Sequence, residues 1–382
     1  MFCRFLSNTY HFTYDHVKPC CWIENTPNTQ INILDPVMKE KIEAIRKVDD
    51  WIPECSYCYN LEAAGTTSPR TQIDVNKIYN NDDKIGEAIK VELQLDEDCN
   101  AACLMCGTWN STTWQQYEDK TLKGRAYPSY RWKTTVEERV NVVENLIDFN
   151  KTKQVHFFGG EPFNSNTQLR MLKLINYPEK VNLVYTTNGS VFPCNETLEL
   201  WKKFKSIHVG VSIDGVGEQF NYLRWPLKWH QVENNLVKYF SLPHKNITMN
   251  SSFTATPLNI LYIDKYTEWA IDFAKNNCTE KTLLPQWFLN PQPVVGNEMN
   301  MNSIPPDLQR VVKDKYGEES RIAKIMDKFD VQKCLYMINY INFHDKHRKT
   351  NWKTTFPELV EYFDVEKVSP LPKKKVWEIK SI

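Results

Sequence analysis

Residues 99–106 read CNAACLMC and place three thiols, Cys99, Cys103 and Cys106, within eight positions. A fourth nearby cysteine would suggest a closed zinc site or a fully ligated iron–sulfur cluster. Three thiols imply either a distant fourth ligand or a metal left open on one side. A loop presenting thiols at i, i+4 and i+7 can wrap three corners of a cubane and leave the fourth iron free.

A second set of thiols precedes this one. Cys3, the adjacent Cys20 and Cys21, and the Cys55-x-x-Cys58 pair lie in the first 58 residues. Cysteine-x-x-cysteine is a frequent metal knuckle, and zinc is its commonest occupant. Cys194, Cys278 and Cys334 stand apart and carry no pattern. Eight of eleven cysteines thus crowd into the first 106 residues of a 382-residue chain. The start, MFCRFLSNTYHF, shows no apolar segment or cleavage site, so the chain reads as cytoplasmic. A reducing compartment disfavours disulfide frameworks, so the clustering points to metal.

These loops need elements to hold them. From about residue 90 to 290, short β-branched or aromatic runs alternate with segments of helical period. The expected strands are 90–95, 154–158, 182–187, 207–213, 247–255 and 286–289, several reading as apolar on both faces. The expected helices are 135–149, 167–175, 196–204, 229–240 and 262–276. Six strand–helix repeats argue for an α/β fold with a parallel sheet, open or curled into a partial barrel. Its active face would be the C-terminal strand ends. The thiol loop follows the first expected strand, and Gly159–Gly160, Gly189 and Gly215 follow the next three.

Those strand ends carry the residues that sharpen the reading. FFGGEP (157–162), TTNG (186–189) and VSIDG with QFNYLR (211–215, 219–224) follow CNAACLMC in order. Together they resemble the radical S-adenosylmethionine (SAM) superfamily, with Met105 where an aromatic is usual. The resemblance implies a partial (β/α)6 barrel and a 4Fe–4S cluster on Cys99, Cys103 and Cys106. It also implies SAM on the open iron, a 5′-deoxyadenosyl radical, and hydrogen abstraction from a peptide or small-molecule substrate. By the same resemblance Gly159, Gly160, Glu161 and Pro162 contact SAM, with Glu161 facing its amino group. Asn188 lies near the nucleoside, Ser212 and Arg224 hold the methionine carboxylate, and Asp214 shapes the ribose pocket. An electron donor such as flavodoxin or ferredoxin is implied. Asn259, in TPLNILYI, reads as a cap of the following helix.

PCCW with CSYCYNLEAAGTTSPR (55–70) resembles a twitch domain, a SPASM-like module here at the N-terminus, and TTFPEL (354–359) fits the same group. It implies an auxiliary 4Fe–4S cluster on Cys3, Cys55, Cys58 and one of Cys20 or Cys21. The expected organisation is a twitch-like domain at 1–85, a barrel at 86–300 and a helical extension with a basic tail at 301–382. A non-catalytic protein with an N-terminal zinc ribbon and a degenerate barrel is the alternative.

Lysine plus arginine equals aspartate plus glutamate at 47 each, so no global field draws the chain to nucleic acid. No apolar run is long enough to span a bilayer. The aromatic stretch 285–295 reads as a possible substrate mouth at the last strand.

Overall fold

Alternation at the strand positions decides how the sheet is faced. In a computed structural model of the chain, Val91, Leu93, Val155, Phe157, Leu183, Tyr185, Val209 and Val211 are buried in one continuous core. The structure describes residues 3–48, 50–63, 65, 67–71, 78–80, 82–121, 131–243, 245–277, 292–293, 298–326 and 328–364. The intervening positions in each strand, such as Glu92, Gln94, His156, Thr186 and Ser212, point the other way. The strands are therefore polar on their second face, not apolar on both as their composition suggested.

The main sheet has eight strands: β1 (Thr9–Thr13), β2 (His16–Lys18), β3 (Ile31–Asn32), β4 (Lys90–Leu93), β5 (Gln154–Phe157), β6 (Asn182–Thr187), β7 (Ser206–Ser212) and β8 (Ile247–Ser252). Their order is β3-β2-β1-β4-β5-β6-β7-β8. β1, β4, β5, β6, β7 and β8 run parallel to their neighbours, while β2 and β3 are antiparallel additions. The α/β class and the six parallel strands are as expected, but the membership differs. The sixth parallel strand is β1, near the N-terminus, and it pairs with β4 from Thr9↔Lys90 to Phe12↔Leu93. The expected strand 286–289 and the rest of the stretch through 291 lie outside the described residues, as do Cys278 and the basic tail. Just beyond, β10 (Gln292–Pro293) pairs with β9 (Thr254–Ala255) in a separate two-stranded ladder.

A boundary at 85/86 is thus no boundary of the sheet, because backbone hydrogen bonding carries β1–β3 into it. Within the N-terminal region Arg46 braces the start of β1. Its guanidinium donates to Leu6 O at 3.2 Å and Thr9 O at 2.6 Å and lies 4.0 Å from the Tyr10 ring centroid.

The connecting helices form where the periodicity predicts. Val136–Leu146 starts with a capping box in which Thr135 and Glu138 satisfy each other's backbone donors. Trp229–Phe240 and Ile263–Asn277 follow β7 and β9. The C-terminal region supplies Pro306–Tyr316, Arg321–Ile325 and Val331–Arg348, as a helical extension requires. No described helix is long and apolar enough to cross a membrane.

Candidate active site

The thiol loop leaves β4 and is stitched to the segment after β7. Ala102 N donates to Trp225 O at 2.6 Å and Leu104 N to Leu223 O at 2.9 Å. Thr113 Oγ1 donates to Cys99 O at 2.7 Å, and Trp114 Nε1 to Cys103 O at 2.9 Å. From the far end of the chain, Tyr340 donates its hydroxyl to Leu104 O at 2.9 Å. Backbone groups of Cys99, Ala101, Ala102, Cys103, Leu104 and Cys106 thus find partners, which helps to hold an irregular loop still while buried.

The loop faces an open cleft of about 1190 Å³. Cys99, Cys103, Met105 and Cys106 line it together with Gly159, Gly160, Asn188, Ser212 and Arg224. Strand-end loops distant in sequence are thereby gathered on one wall. Burial pushes all three thiols up, Cys106 to about 12, and the neighbouring Arg224 guanidinium partly offsets this for Cys103. Thiols in that state become ligands by losing their protons to a metal. Asn188 Nδ2 lies 3.9 Å from Cys99 Sγ, and Arg224 Nη1 lies 3.9 Å from Cys103 Sγ.

Three expected contact residues stand behind this wall instead. Glu161 is wholly buried, and its oxygens accept from Thr187 Oγ1 at 2.6 Å and Asn188 N at 2.7 Å. Its place behind the wall comes from its role as a brace between the GGEP loop and the end of β6. Burial raises its carboxyl to about 7 despite those hydrogen bonds. Asp214 is equally buried; it accepts from Thr254 N at 2.8 Å and pairs with Arg224 Nη2 at 2.7 Å. Pro162 lines a smaller adjoining hollow beside Phe157 and Gln168.

The two glycines on the cleft wall also pack closely against the chain behind them. Gly159 and Gly160 both have left-handed φ, +75° and +55°. A Cβ at Gly160 would stand 2.6 Å from Asp98 O, and one at Gly159 would stand 2.2 Å from Gln94 Cγ. The space they keep clear is occupied by the chain itself. Asn259 is not a side-chain cap. Its Nδ2 donates to Asp214 O at 2.8 Å and Thr254 O at 2.9 Å, steadying the loop that carries Asp214.

Sequence reading missed several other cleft residues, among them His11, Thr13, Tyr14, Lys18, Asn25 and Gln94. Strict alternation with the buried Tyr10, Phe12 and Val17 was the available signal.

At the N-terminus, Cys3, Cys20, Cys55 and Cys58 line a second, small cavity with Trp22, Trp51 and Arg70. Cys21 is not on that wall. Cys3 precedes the helix Arg4–Asn8, Cys20 follows β2, Cys55 ends a 3-10 turn, and Cys58 lies in the helix Ser56–Ala63. Burial raises Cys3 and Cys58, and pushes Cys55 to about 11 with help from its thiol neighbours. Arg70 donates from Nε to Glu62 Oε1 at 3.0 Å, and its guanidinium lies 5.1 Å from the Trp51 ring centroid. Among the described residues no three His, Cys, Asp or Glu side chains converge tightly enough for one metal ion. Both thiol sets surround volumes rather than points.

Comparison with known families adds the deciding observation. Residues 95–243, from the end of β4 to just past the helix Trp229–Phe240, match the family model described as the radical SAM superfamily. Residues 95–243 are therefore similar to the radical SAM domain. The thiol loop, GGEP turn and Arg224 all fall within that span, whereas β1–β3 and β8 lie outside it. Comparison with curated proteins gives no match. Among solved structures, native anSMEcpe with bound AdoMet is similar at 16% identity and TM-score 0.36, covering 59% of each chain. Streptococcus suis SuiB bound to the precursor peptide SuiA is similar at 14% identity and TM-score 0.35, covering 88% of this chain and 59% of that one. SuiB bound to S-adenosylmethionine gives 13% identity, TM-score 0.35, and 84% and 62% coverage. The chain therefore spans about six tenths of the length of these structures.

Proposed function

We propose that this chain is a radical SAM enzyme whose thiol loop carries a 4Fe–4S cluster and whose substrate enters the same cleft. The single observation that supports it most is the joint placement of Cys99, Cys103 and Cys106 with Arg224 and Asn188 on one cleft wall. The donor set fits the group: three thiols around a volume, no fourth cysteine on the wall among the described residues, and a buried guanidinium facing the sulfur of Cys103. Cys99, Cys103 and Cys106 would hold the cluster, which would supply reductive cleavage of SAM and thereby radical hydrogen abstraction from the substrate.

The chain's own residues then have defined tasks. Arg224 presents a fixed cation beside Cys103, suited to the SAM carboxylate, and Asp214 holds it in orientation. Asn188 keeps an amide at the cleft wall, its Oδ1 receiving Ser190 N at 2.8 Å and its Nδ2 directed to Asn100 Oδ1 at 3.0 Å. Ser212 offers a hydroxyl on the same wall. Glu161 ties the GGEP loop to β6 from behind.

The four-thiol cavity supports an auxiliary 4Fe–4S cluster on Cys3, Cys20, Cys55 and Cys58, with Arg70 as a nearby positive charge. Four thiolates would leave that cluster no open iron, so its tasks would be electron transfer or stabilisation. The substrate is a peptide or a small molecule such as a carbohydrate or nucleotide, and the electron donor is a flavodoxin or ferredoxin.

The test is anaerobic reconstitution with iron and sulfide, followed by dithionite and SAM. About eight irons per chain and release of 5′-deoxyadenosine are expected. Zinc bound without acid-labile sulfide, or a fully loaded and reducible chain that leaves SAM intact, overturns the reading.

A further inference from the structure

The polar face of the sheet carries a row of charged side chains that the SAM site does not use. Strand register aligns Lys18 with His11, His11 with Glu92, and Glu92 with His156 across β2, β1, β4 and β5. Most of the row is internally matched. Glu92 pairs with His11 Nδ1 at 2.9 Å and with Lys90 Nζ at 2.7 Å. His156 Nε2 bonds Thr186 Oγ1 at 2.9 Å.

Lys18 is the exception. It is only 5% exposed, and its ammonium donates to one neutral acceptor, Asn25 Oδ1 at 2.9 Å. Among the described residues no carboxylate lies within ion-pair distance of it. Glu92 and the Cys20 and Cys21 thiols act on it only from beyond ion-pair contact. A buried ammonium with no contacting counter-charge is costly, so its place on a cavity wall leaves room for an anion to settle. Lys18 and Asn25 both line the cleft whose other end is walled by Cys99, Cys103 and Cys106.

The neighbouring turn supports the same end of the cleft. Tyr14, between β1 and β2, is a non-glycine residue at φ +53° and lines the cleft. Left-handed backbone at such a residue persists only where surroundings fix it. Here the Asp15 carboxylate does so, accepting from Lys133 N at 2.9 Å, Thr134 N at 2.9 Å and Thr134 Oγ1 at 2.6 Å. Tyr14 also meets Trp132 edge-on, with ring centroids 5.6 Å apart. A turn is thereby locked beside the unmatched ammonium.

We propose that Lys18 and Asn25 form the anion-binding end of the substrate site, taking a carboxylate or phosphate group of the substrate. The remainder of the substrate then lies along the cleft toward the three thiols. This rests on the reading of the chain as a radical SAM enzyme, and it narrows the substrate to molecules bearing such a group. Cys20 and Cys21 follow Lys18 closely in sequence, so the competing role for the ammonium is to offset charge in the N-terminal cavity.

The experiment uses the full reconstituted chain and two probes, inorganic phosphate followed by 31P line width and 13C-acetate followed by 13C line width. Saturable broadening of one probe is expected, and which one responds separates a phosphate from a carboxylate group. Lys18→Gln is expected to weaken that binding by roughly tenfold or more, the loss of one charge-assisted hydrogen bond. Lys18→Arg keeps the charge and is expected to retain most of it; if Lys18→Gln does not fold, Asn25→Ala serves as the second weakening variant. Equal broadening in wild type and Lys18→Gln overturns the proposal, as does no saturable binding of either probe to wild type. A Lys18→Gln chain that binds the probe normally but loses iron assigns the ammonium to the N-terminal cavity and overturns it too. SAM cleavage by the wild-type chain is measured separately. Its failure removes the functional reading without touching the anion result, and the reverse also holds.

Discussion

Around Cys99, Cys103 and Cys106 the wall is built from parallel strand ends, and each loop is braced by buried groups such as Glu161, Asp214 and Asn259. Cys3, Cys20, Cys55 and Cys58 sit instead on four short local segments, three of them only half buried. The two arginines show the same contrast. Arg224 is enclosed with Asp214, whereas Arg70 and Glu62 are each about a fifth exposed. A reactive group left open to a ligand needs surroundings that do not move, because they must hold both metal and ligand in register. A set of four thiols can fix its own geometry once filled, so its scaffold can be slighter. The comparison makes four graded predictions.

The largest effect comes from removing the thiols by region. Alanine at Cys99, Cys103 and Cys106 together is expected to abolish 5′-deoxyadenosine formation and remove about half the iron. Alanine at Cys3, Cys20, Cys55 and Cys58 is expected to remove the other half while iron on the first set persists. Iron and sulfide analysis of both variants checks this; an unchanged content in either breaks the comparison.

Next come the arginines. Arg224→Met strands the buried Asp214 carboxylate and is expected to destabilise the metal-free chain by about 3–5 kcal/mol. Arg70→Met breaks a partly exposed pair and is expected to cost about 1 kcal/mol or less. Urea unfolding of the two variants side by side measures the difference, and equal losses would mean that the two sites are equally rigid.

Glu161 gives a pH signature. Its folded value of about 7 lies above its ordinary 4.5, so between those values the folded chain holds a proton that the unfolded chain has released. Stability of the metal-free chain is therefore expected to fall as pH rises across that window, by up to about 3 kcal/mol in all. Glu161→Gln is expected to lower the melting temperature at pH 5 yet flatten this decline. A melting series from pH 5 to 7 in both chains tests it.

The smallest effect separates neighbours. Cys20→Ser is expected to reduce iron in the N-terminal cavity, while Cys21→Ser leaves iron content unchanged. Equal losses would remove the distinction drawn from the cavity wall.

What could be read in advance followed chemistry and local period. The thiol spacing, the GGEP turn and the helix at 229–240 lie within short windows, and each is found where its pattern put it. Whether a polar residue faces the cleft or braces it from behind depends on strands far apart in sequence. Glu161, expected to face the SAM amino group, and Asp214, expected to shape the ribose pocket, are seen in the fold to brace neighbouring loops. TYHFT (9–13) went unread as a strand because its partner, β4, begins some eighty residues later. Cys20 and Cys21 are chemically identical, and only the exit direction of β2 distinguishes them.

The bond from Tyr340 to Leu104 O bears on how the protein is made. Tyr340 lies 236 positions after the loop it holds and shares the helix Val331–Arg348 with His344, which bonds the Tyr117 hydroxyl at 2.8 Å. While the ribosome is still translating, the thiol loop lacks that brace. The loop gains that brace only once residues 331–348 have been translated, so a chain cut short before residue 331 is expected to hold its thiols less firmly.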